Sequence, residues 1–302
     1  MLPGAEPLIS IITLNYNQPA VTCEFLASCR NLTYTNYEIL VCDMASETDP
    51  AQLIAAGNYP NTRVLRSNVN LGFAGGNNWG MRQAKGDFIF IVNNDTELTP
   101  GILQLLIAPF YQQPSIGVTS PKIKFFYQPG IIQYAGFNAM NPFTGRTSTV
   151  GALEEDRGQH DQAGETFAAH GCAMMLKRAV ITETGMFPEK FFLYYEEWDW
   201  SARIRKAGYK IWYVANATVY HKESMSVGKN NPMKVFYHTR NRILYMRRNT
   251  EWYQQMVFFP FFVFFVVPKH LIAFLRKGEF AQMKNFLRGF VWNLYSSSSS
   301  KV

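Results

Sequence analysis

Cysteine is scarce in this chain, and its spacing removes two readings at once. Cys23, Cys29, Cys42 and Cys172 are the only four, and none forms a C-x-x-C pair. Neither a zinc site nor a redox dithiol is signalled, and a reducing compartment fits. The opening residues, Met1-Leu2-Pro3-Gly4-Ala5-Glu6, lack a basic stretch followed by an apolar one, so secretion by signal peptide is not expected and the sequon Asn31-Leu32-Thr33 carries no weight. Charge is low, at 17% of residues against 47% hydrophobic ones, which excludes disorder for most of the chain. No G-x-G-x-x-G follows the first strand pattern. That turn reads Asn15-Tyr16-Asn17-Gln18-Pro19, which argues against a dinucleotide-binding dehydrogenase, and no G-K-[ST] appears anywhere to suggest a P-loop. An uninterrupted apolar span of about twenty residues is also missing. Met256 to Val267 is rich in Val and Phe, but Pro260 and Pro268-Lys269-His270 break it, so a re-entrant or interfacial segment is expected rather than a crossing.

What the chain does have is alternation. Leu8 to Leu14 is a β-rich apolar run, and Pro19 opens a helical pattern through Cys29. Glu38 to Cys42 reads as a second strand ending in Asp43, with Ser46, Glu47 and Asp49 behind it and a helix opened by Pro50. Arg63 to Leu65 is a third short strand. A glycine- and asparagine-rich loop, Asn70 to Asn78, then leads into a helix from Gly75 to Ala84. Strands alternating with helices imply an α/β fold with a mostly parallel sheet and right-handed crossovers, whose polar strand ends collect along one edge. The length suits one large domain with an appendage.

The fourth strand is the most informative. Phe88-Ile89-Phe90-Ile91-Val92 has the look of a strand buried on both faces, and it runs into Asn93-Asn94-Asp95-Thr96. Ligands of open α/β sheets bind outside the carboxyl ends of the strands, and a hard divalent cation on a diphosphate needs only one or two protein carboxylates. An Asx turn is the plainer alternative for the same residues. After a connector rich in Gly, Pro and polar residues from Pro121 to Thr166, His170 to Arg178 resumes an apolar strand. Phe191-Phe192-Leu193-Tyr194-Tyr195-Glu196-Glu197-Trp198-Asp199-Trp200 then places three carboxylates within four residues, framed by aromatics. An acidic helix start would explain the charges alone. The aromatic frame points further, because a carboxylate in a half-apolar cleft is tuned toward general-base work. His221 follows the β pattern of Ile211 to Val214 and Ala217 to Tyr220, with Ser224 and Ser226 behind it. A lone histidine is more often structural, but a strand end is where a ligand would sit.

The net charge of +7 is concentrated late in the chain. Arg240, Arg242, Arg247, Arg248, Lys269, Arg276, Lys277, Lys284 and Arg288 neighbour the most aromatic stretch, a pairing that suits an anionic membrane surface rather than nucleic acid. Basic residues on both flanks of the apolar segment would keep both its ends cytoplasmic. Phe280 to Tyr295 reads as an amphipathic helix and Ser296 to Ser300 as a disordered tail. The competing reading of this region is a helical hairpin covering the catalytic domain, or a contact between copies in a homo-oligomer.

In this order the motifs resemble the family 2 glycosyltransferases, and within them a rhamnosyltransferase-like branch that builds bacterial cell-surface polysaccharides. Thr13-Leu14-Asn15-Tyr16-Asn17 is similar to the family's T-x-N-Y-N-like turn, and Asp43 stands at the acid of V-D-N-x-S. Asn70-Leu71-Gly72-Phe73-Ala74-Gly75-Gly76-Asn77 resembles N-x-G-F-A-x-G-x-N, and Asn93-Asn94-Asp95 fills the D-x-D slot. Downstream, His170 to Arg178 resembles the G-A-x-M-L-x-R-R strand and Phe191 to Asp199 the F-F-L-Y-x-E-D-x-D run. His238-Thr239-Arg240-Asn241-Arg242 resembles Y-x-x-R-N-R.

The resemblance implies the GT-A nucleotide-diphospho-sugar transferase fold over residues 1–250, followed by an interfacial helical segment over 251–302. It implies an inverting transfer from a nucleotide-diphospho-sugar donor to a glycan or lipid-linked acceptor at the cytoplasmic face of the inner membrane. Asn15, Tyr16, Asp43, Gly72, Gly75, Asn77, Asn93, Asn94 and Gly171 would line the donor, with Asp43 on the base and Asn93 near the ribose. Asp95 and His221 would hold a divalent cation, Mn2+ or Mg2+. Glu197 would be the catalytic base, and Glu196, Trp198 and Asp199 would orient the acceptor. Two departures matter: Asn93 replaces the first acid of D-x-D, and Glu197 replaces the more usual Asp. A nucleotidyltransferase is the runner-up, but lacks its glycine- and arginine-rich loop. A catalytically silent sugar-nucleotide-binding homologue is the other alternative, against which Glu197 and Asp95 both stand.

Overall fold

The computed structural model describes residues 6–222 and 231–300, so Ser224 and Ser226 lie outside the described residues. Ten strands form one sheet. They are β1 (Ile9–Asn15), β2 (Tyr37–Met44), β3 (Thr62–Ser67), β4 (Phe88–Val92), β5 (Thr96–Leu98), β6 (Ile116–Phe125), β7 (Gln128–Tyr134), β8 (Gly164–Thr166), β9 (Ala173–Lys177) and β10 (Lys210–His221). The order is β3-β2-β1-β4-β9-β6-β10-β5, with β7 on β6 and β8 on β10. The first four strands are parallel, as the βα alternation predicts. Beyond β4 the sheet is mixed, because β9 runs antiparallel between β4 and β6 and β5 runs antiparallel to β10. The connector from Pro121 to Thr166 is not plain loop: its glycines and prolines hid β7, β8 and the second half of β6.

Helices α1 (Pro19–Cys29), α2 (Ala51–Ala56), α3 (Gly72–Gln83), α4 (Ile102–Gln112), α5 (Arg178–Thr184) and α6 (Glu196–Lys206) flank the sheet. Alternation along the strands divides the core. Ile9, Ile11, Phe90 and Val92 pack with Phe25, Leu26 and Leu106 on one face. Ile12, Ile89 and Ile91 meet Met81, Trp200 and Ile204 on the other. Both faces of β4 are therefore covered, and all five of its residues are buried. β1 pairs β2 on one side and β4 on the other, so chain order reverses there and a crevice opens at their carboxyl ends.

The C-terminal helices carry a third core. α7 (Pro232–Asn249) supplies Ile243, Leu244 and Met246, which meet Phe191 and Trp198 of the sheet domain together with Phe258, Phe262 and Phe286. Residues Trp252–Lys277 form one continuous helix of 26 residues, long and apolar enough to cross a membrane. The break expected at the prolines does not occur. α8 (Trp252–Phe261) and α9 (Val267–Lys277) are joined by a π-helical turn, Phe262–Val266, lying between Pro260 and Pro268, where a wider turn absorbs the backbone bonds the prolines cannot make. α10 (Phe280–Tyr295) has the bounds read from its pattern. It lies against α7 at Gly289, where a Cβ would stand 2.7 Å from the Phe236 carbonyl oxygen. The serines after it are held rather than loose: Lys190 Nζ donates to the Ser297 carbonyl at 2.7 Å and Arg248 Nη1 to that of Ser298 at 2.6 Å.

Candidate active site

The strand ends around the crevice are tied by one buried polar chain. Asn94 Nδ2 donates to Thr22 Oγ1 at 2.9 Å, Thr22 Oγ1 to Asn15 Oδ1 at 2.8 Å, and Asn15 Nδ2 to Asp43 Oδ1 at 2.7 Å. Asp43 also accepts from the Ser46 backbone and hydroxyl, and Arg66 Nε stands 3.7 Å from it. Asn15 and Asp43 are fully enclosed and Asn94 nearly so, and their bonds fix the ends of β1, β2 and β4. Tyr16, beside them, is 45% exposed, and Asn93 is half-buried.

Asp95 and His221 are brought together by strand pairing. His221 ends β10 opposite Thr96 of β5, and Lys222 donates its backbone N–H to the Asp95 carbonyl at 2.8 Å. His221 Nε2 then lies 3.1 Å from Asp95 Oδ1, both side chains nearly enclosed. Nδ1 of His221 is 2.8 Å from Gln133 Oε1, a partner supplied by β7 that the sequence did not single out. Burial opposes charge on His221, but the Cys172 sulfur and the Asp95 carboxylate outweigh it and hold its pKa well above the ordinary value. An imidazole nitrogen and a carboxylate oxygen converging at a strand edge fit a hard cation that takes its remaining ligands from a diphosphate. Among the described residues no cluster of three or more His, Cys, Asp or Glu could hold a metal alone.

The glycine-rich run is bonded to the segment before the carboxylates. Its first helical amides are occupied: Phe73 N–H donates to the Phe192 carbonyl at 2.7 Å, Ala74 N–H to the same oxygen at 3.3 Å, and Gly72 N–H to Asn70 Oδ1 at 2.9 Å. Gly72 has φ of +68°, and a Cβ there would meet the Phe192 carbonyl oxygen at 2.6 Å. Gly75 is buried against Leu71, and Asn77 is buried with its amide on the Phe73 carbonyl. Asn78 clasps Phe187 through both backbone groups, at 2.8 Å and 3.0 Å. α3 is thus a seat for residues 187–193.

That seated segment leads to the carboxylates. Phe192, Tyr194 and Tyr195 have φ of 63°, 68° and 72°, the left-handed region that bulky residues avoid. α7 holds the strain in place. Asn241 Nδ2 donates to the carbonyls of Phe191, Leu193 and Tyr194 at 3.0, 2.7 and 2.8 Å, and Arg240 Nη2 donates to those of Lys190 and Phe191 at 2.8 and 2.6 Å. The R-N-R segment was legible as a likeness only; its work is this clamp. The loop delivers Glu196 and Glu197 into the first turn of α6.

Of the four residues expected to act on the acceptor, only Glu197 keeps partial exposure. Trp198 is buried with its ring centroid 4.7 Å from that of Phe137, and Asp199 is enclosed by Arg203, Arg248 and Asn249. Glu196 is buried too, and burial together with the neighbouring Glu197 pushes its pKa well above the ordinary carboxylate value. All three are enclosed by neighbouring side chains. Glu197 Oε2 has no hydrogen-bond partner among the described residues, and burial raises its pKa to about 7 against the lowering by backbone amides. A carboxylate raised toward neutrality is what a general base needs.

Residues 170–172 join the two halves of the site. A Cβ on Gly171 would lie 3.9 Å from Glu197 Cβ, while Cys172 accepts Asn93 N–H on its carbonyl at 2.9 Å and brings its sulfur to His221. Glu197 and the Asp95–His221 pair therefore flank one short segment at the strand ends.

Comparison with known proteins agrees with this geometry. The glycosyl transferase family 2 profile matches residues 10–185. An N-acetylglucosaminyl-diphospho-decaprenol L-rhamnosyltransferase of Mycobacterium tuberculosis is 23% identical over 268 residues, covering 82% of this chain and 87% of that one. A mannosyltransferase of Pyrobaculum calidifontis, solved with GDP-Man and Mn2+, superposes with a TM-score of 0.58 at 14% identity, covering 97% of this chain and 88% of that one. GalNAc-T7, solved with UDP, GalNAc and Mn2+, also gives 0.58 at 16% identity; the match covers 78% of this chain but about half of that one, 48%. The fold is that of the GT-A transferases, and the chain is a glycosyltransferase that belongs to glycosyl transferase family 2.

Proposed function

We propose that the protein is an inverting, divalent cation-dependent transferase that moves a sugar, rhamnose by analogy with its relatives, from a nucleotide-diphosphate donor to a hydroxyl of a lipid-linked or glycan acceptor in bacterial surface polysaccharide synthesis. The observation that carries this is the placement of Glu197, the one partly exposed acid of its cluster, across residues 170–172 from the Asp95–His221 pair. Asp95 and His221 would hold the cation, which when bound neutralises charge on the departing diphosphate. Glu197 takes the proton from the acceptor hydroxyl, whose oxygen attacks the anomeric carbon from the face opposite the leaving group. The carbon–oxygen bond to phosphate breaks, nucleoside diphosphate leaves, and the configuration inverts. Asn15, Tyr16, Asp43, Gly72, Gly75, Asn77, Asn93, Asn94 and Gly171 are the proposed donor contacts, of which Tyr16 is exposed and Asn93 half-buried.

The exposed apolar face of Trp252–Lys277 supports a site of work at the cytoplasmic face of the inner membrane, held there peripherally or monotopically. Trp252, Met256, Phe264 and Phe265 are 65–72% exposed. The test is incubation with a panel of nucleotide sugars, Mn2+ or Mg2+ and lipid-linked acceptors, reading nucleotide release and the anomeric configuration of the product. Transfer with inversion from one donor is expected. No release with any donor, or a retained configuration, would overturn the reading.

A further inference from the structure

β7 departs from regular pairing at one place. Tyr134 stands opposite Ile123 and Ile132 opposite Lys124, so two steps on β7 match one step on β6, and Gln133 is the extra residue. Such an insertion is a β-bulge, which breaks the ladder locally and re-aims the side chain it carries. Ile132 and Tyr134 are fully buried, whereas Gln133 is polar and half-buried. β6 lies between β7 and β10, and the Gln133 side chain reaches past it to the last residue of β10, with Oε1 2.8 Å from His221 Nδ1. A side-chain amide oxygen can only accept. The hydrogen of this bond therefore sits on Nδ1.

The other ring nitrogen is held differently. Nε2 stands 3.1 Å from Asp95 Oδ1, is enclosed, and forms no aligned hydrogen bond among the described residues, so the ring takes its orientation from Nδ1. The neutral imidazole that ligates a cation carries one hydrogen, and with that hydrogen on Nδ1 the lone pair is left on Nε2, the nitrogen beside the carboxylate. We infer that Gln133 is a positioning residue of the cation site, fixing the tautomer and tilt of His221 so that Nε2 is presented to a divalent cation together with Asp95. The inference rests on the proposed function and adds to it a residue of the connector, brought to the site by a bulge. Partners of this kind orient metal-ligating imidazoles generally, and losing one costs about 10- to 100-fold in metal affinity.

The experiment measures, by calorimetry on the full chain, how far Mn2+ tightens the binding of a nucleoside diphosphate; the common nucleoside diphosphates are screened and the one the parent chain binds most tightly is used. No turnover enters the readout. Gln133→Met, close in length but without an acceptor, should reduce the Mn2+-dependent gain about tenfold, the low end of the range for such partners, and leave the affinity without Mn2+ unchanged. Gln133→Glu, which keeps an acceptor at the same reach, should restore the gain. In the His221→Ala background, Gln133→Met should cost nothing further, because its effect passes through the ring. Gln133→Leu takes the place of Gln133→Met if the latter does not fold. An undiminished gain in Gln133→Met, an equal loss in Gln133→Glu, or the same loss with and without His221 would each overturn the inference, and the cation assignment survives these results if Asp95→Ala still abolishes the gain. A parent chain with no Mn2+-dependent gain strikes the cation-dependent reading itself, and the inference falls with it.

Discussion

At the residue scale, adjacent carboxylates have unlike fates. Glu197 has its pKa raised to about 7 and a free oxygen, so its activity rises with pH as the proton is lost, and the acid limb of kcat/KM should centre near 7. Glu197→Gln should lower kcat by about 10² to 10⁴ while donor binding holds, and should flatten that limb. Initial rates across a pH series check both. Asp95→Ala should abolish the Mn2+-dependence of nucleoside diphosphate binding in calorimetry and His221→Ala should weaken it less, since a carboxylate adds charge to a hard cation; unchanged affinity in Asp95→Ala would end the metal assignment. Two residues along, Asp199 is bonded to Arg248 Nε at 2.6 Å and Asn249 Nδ2 at 2.9 Å. Asp199→Ala should therefore cost about 3 kcal/mol of stability, as a broken buried pair does, and leave the acceptor KM of the folded enzyme unchanged. Spacing in the sequence found this cluster. It could not tell which acid faces the cleft, because that depends on the dihedral angles of Tyr194 and Tyr195.

Elements were legible in proportion to how local their signals are. β4 and α10 appeared with their observed limits because buried strands and amphipathic helices announce themselves by periodicity. β7 and β8 did not, since short strands with Gly and Pro depend on partners distant in sequence. The run from Gly72 to Asn78 was recognised, but its role as a seat for Phe192 rests on a contact more than a hundred residues away, between Phe73 N–H and Phe192 O. The clamp is the same case. Asn241→Ala removes an amide whose two hydrogens are shared among three carbonyls of the strained loop, at about 1 kcal/mol per hydrogen bond, so urea unfolding should show a loss of roughly 2 kcal/mol. Turnover should fall further than stability accounts for, because Glu197 would lose its fixed approach.

On the scale of the whole molecule, the C-terminal helices are both cover and contact surface. Phe258, Phe262 and Phe286 fill a core shared with Phe191 and Trp198, so removal of everything after Arg248 would open that core. The membrane contribution is better read from the outer face. Phe264→Ser with Phe265→Ser should release the protein from anionic liposomes in sedimentation without lowering its melting temperature, as both rings are exposed. Retained sedimentation would locate the contact elsewhere. Lys269, Arg276, Lys277, Lys284 and Arg288 are also exposed, and at about 1 kcal/mol each near an anionic surface they should make any liposome binding weaken with salt. Arg247 and Arg248, expected among them, are turned inward to Ser296 and Asp199.

The clamp on residues 191–194 also has a consequence for a newborn chain. The sheet, α3 and α6 precede α7 in order of synthesis, and their contacts close among themselves. Asn241 follows Glu196 by 45 positions, an interval of about 2 to 9 seconds at a translation speed of roughly 5–20 residues per second. Until it emerges, residues 187–193 have their seat on α3 but lack the clamp on the carbonyls of Phe191, Leu193 and Tyr194. That clamp arrives with α7, ahead of the apolar Trp252–Lys277 helix, so the loop before Glu196 is fixed by the first C-terminal helix to leave the ribosome.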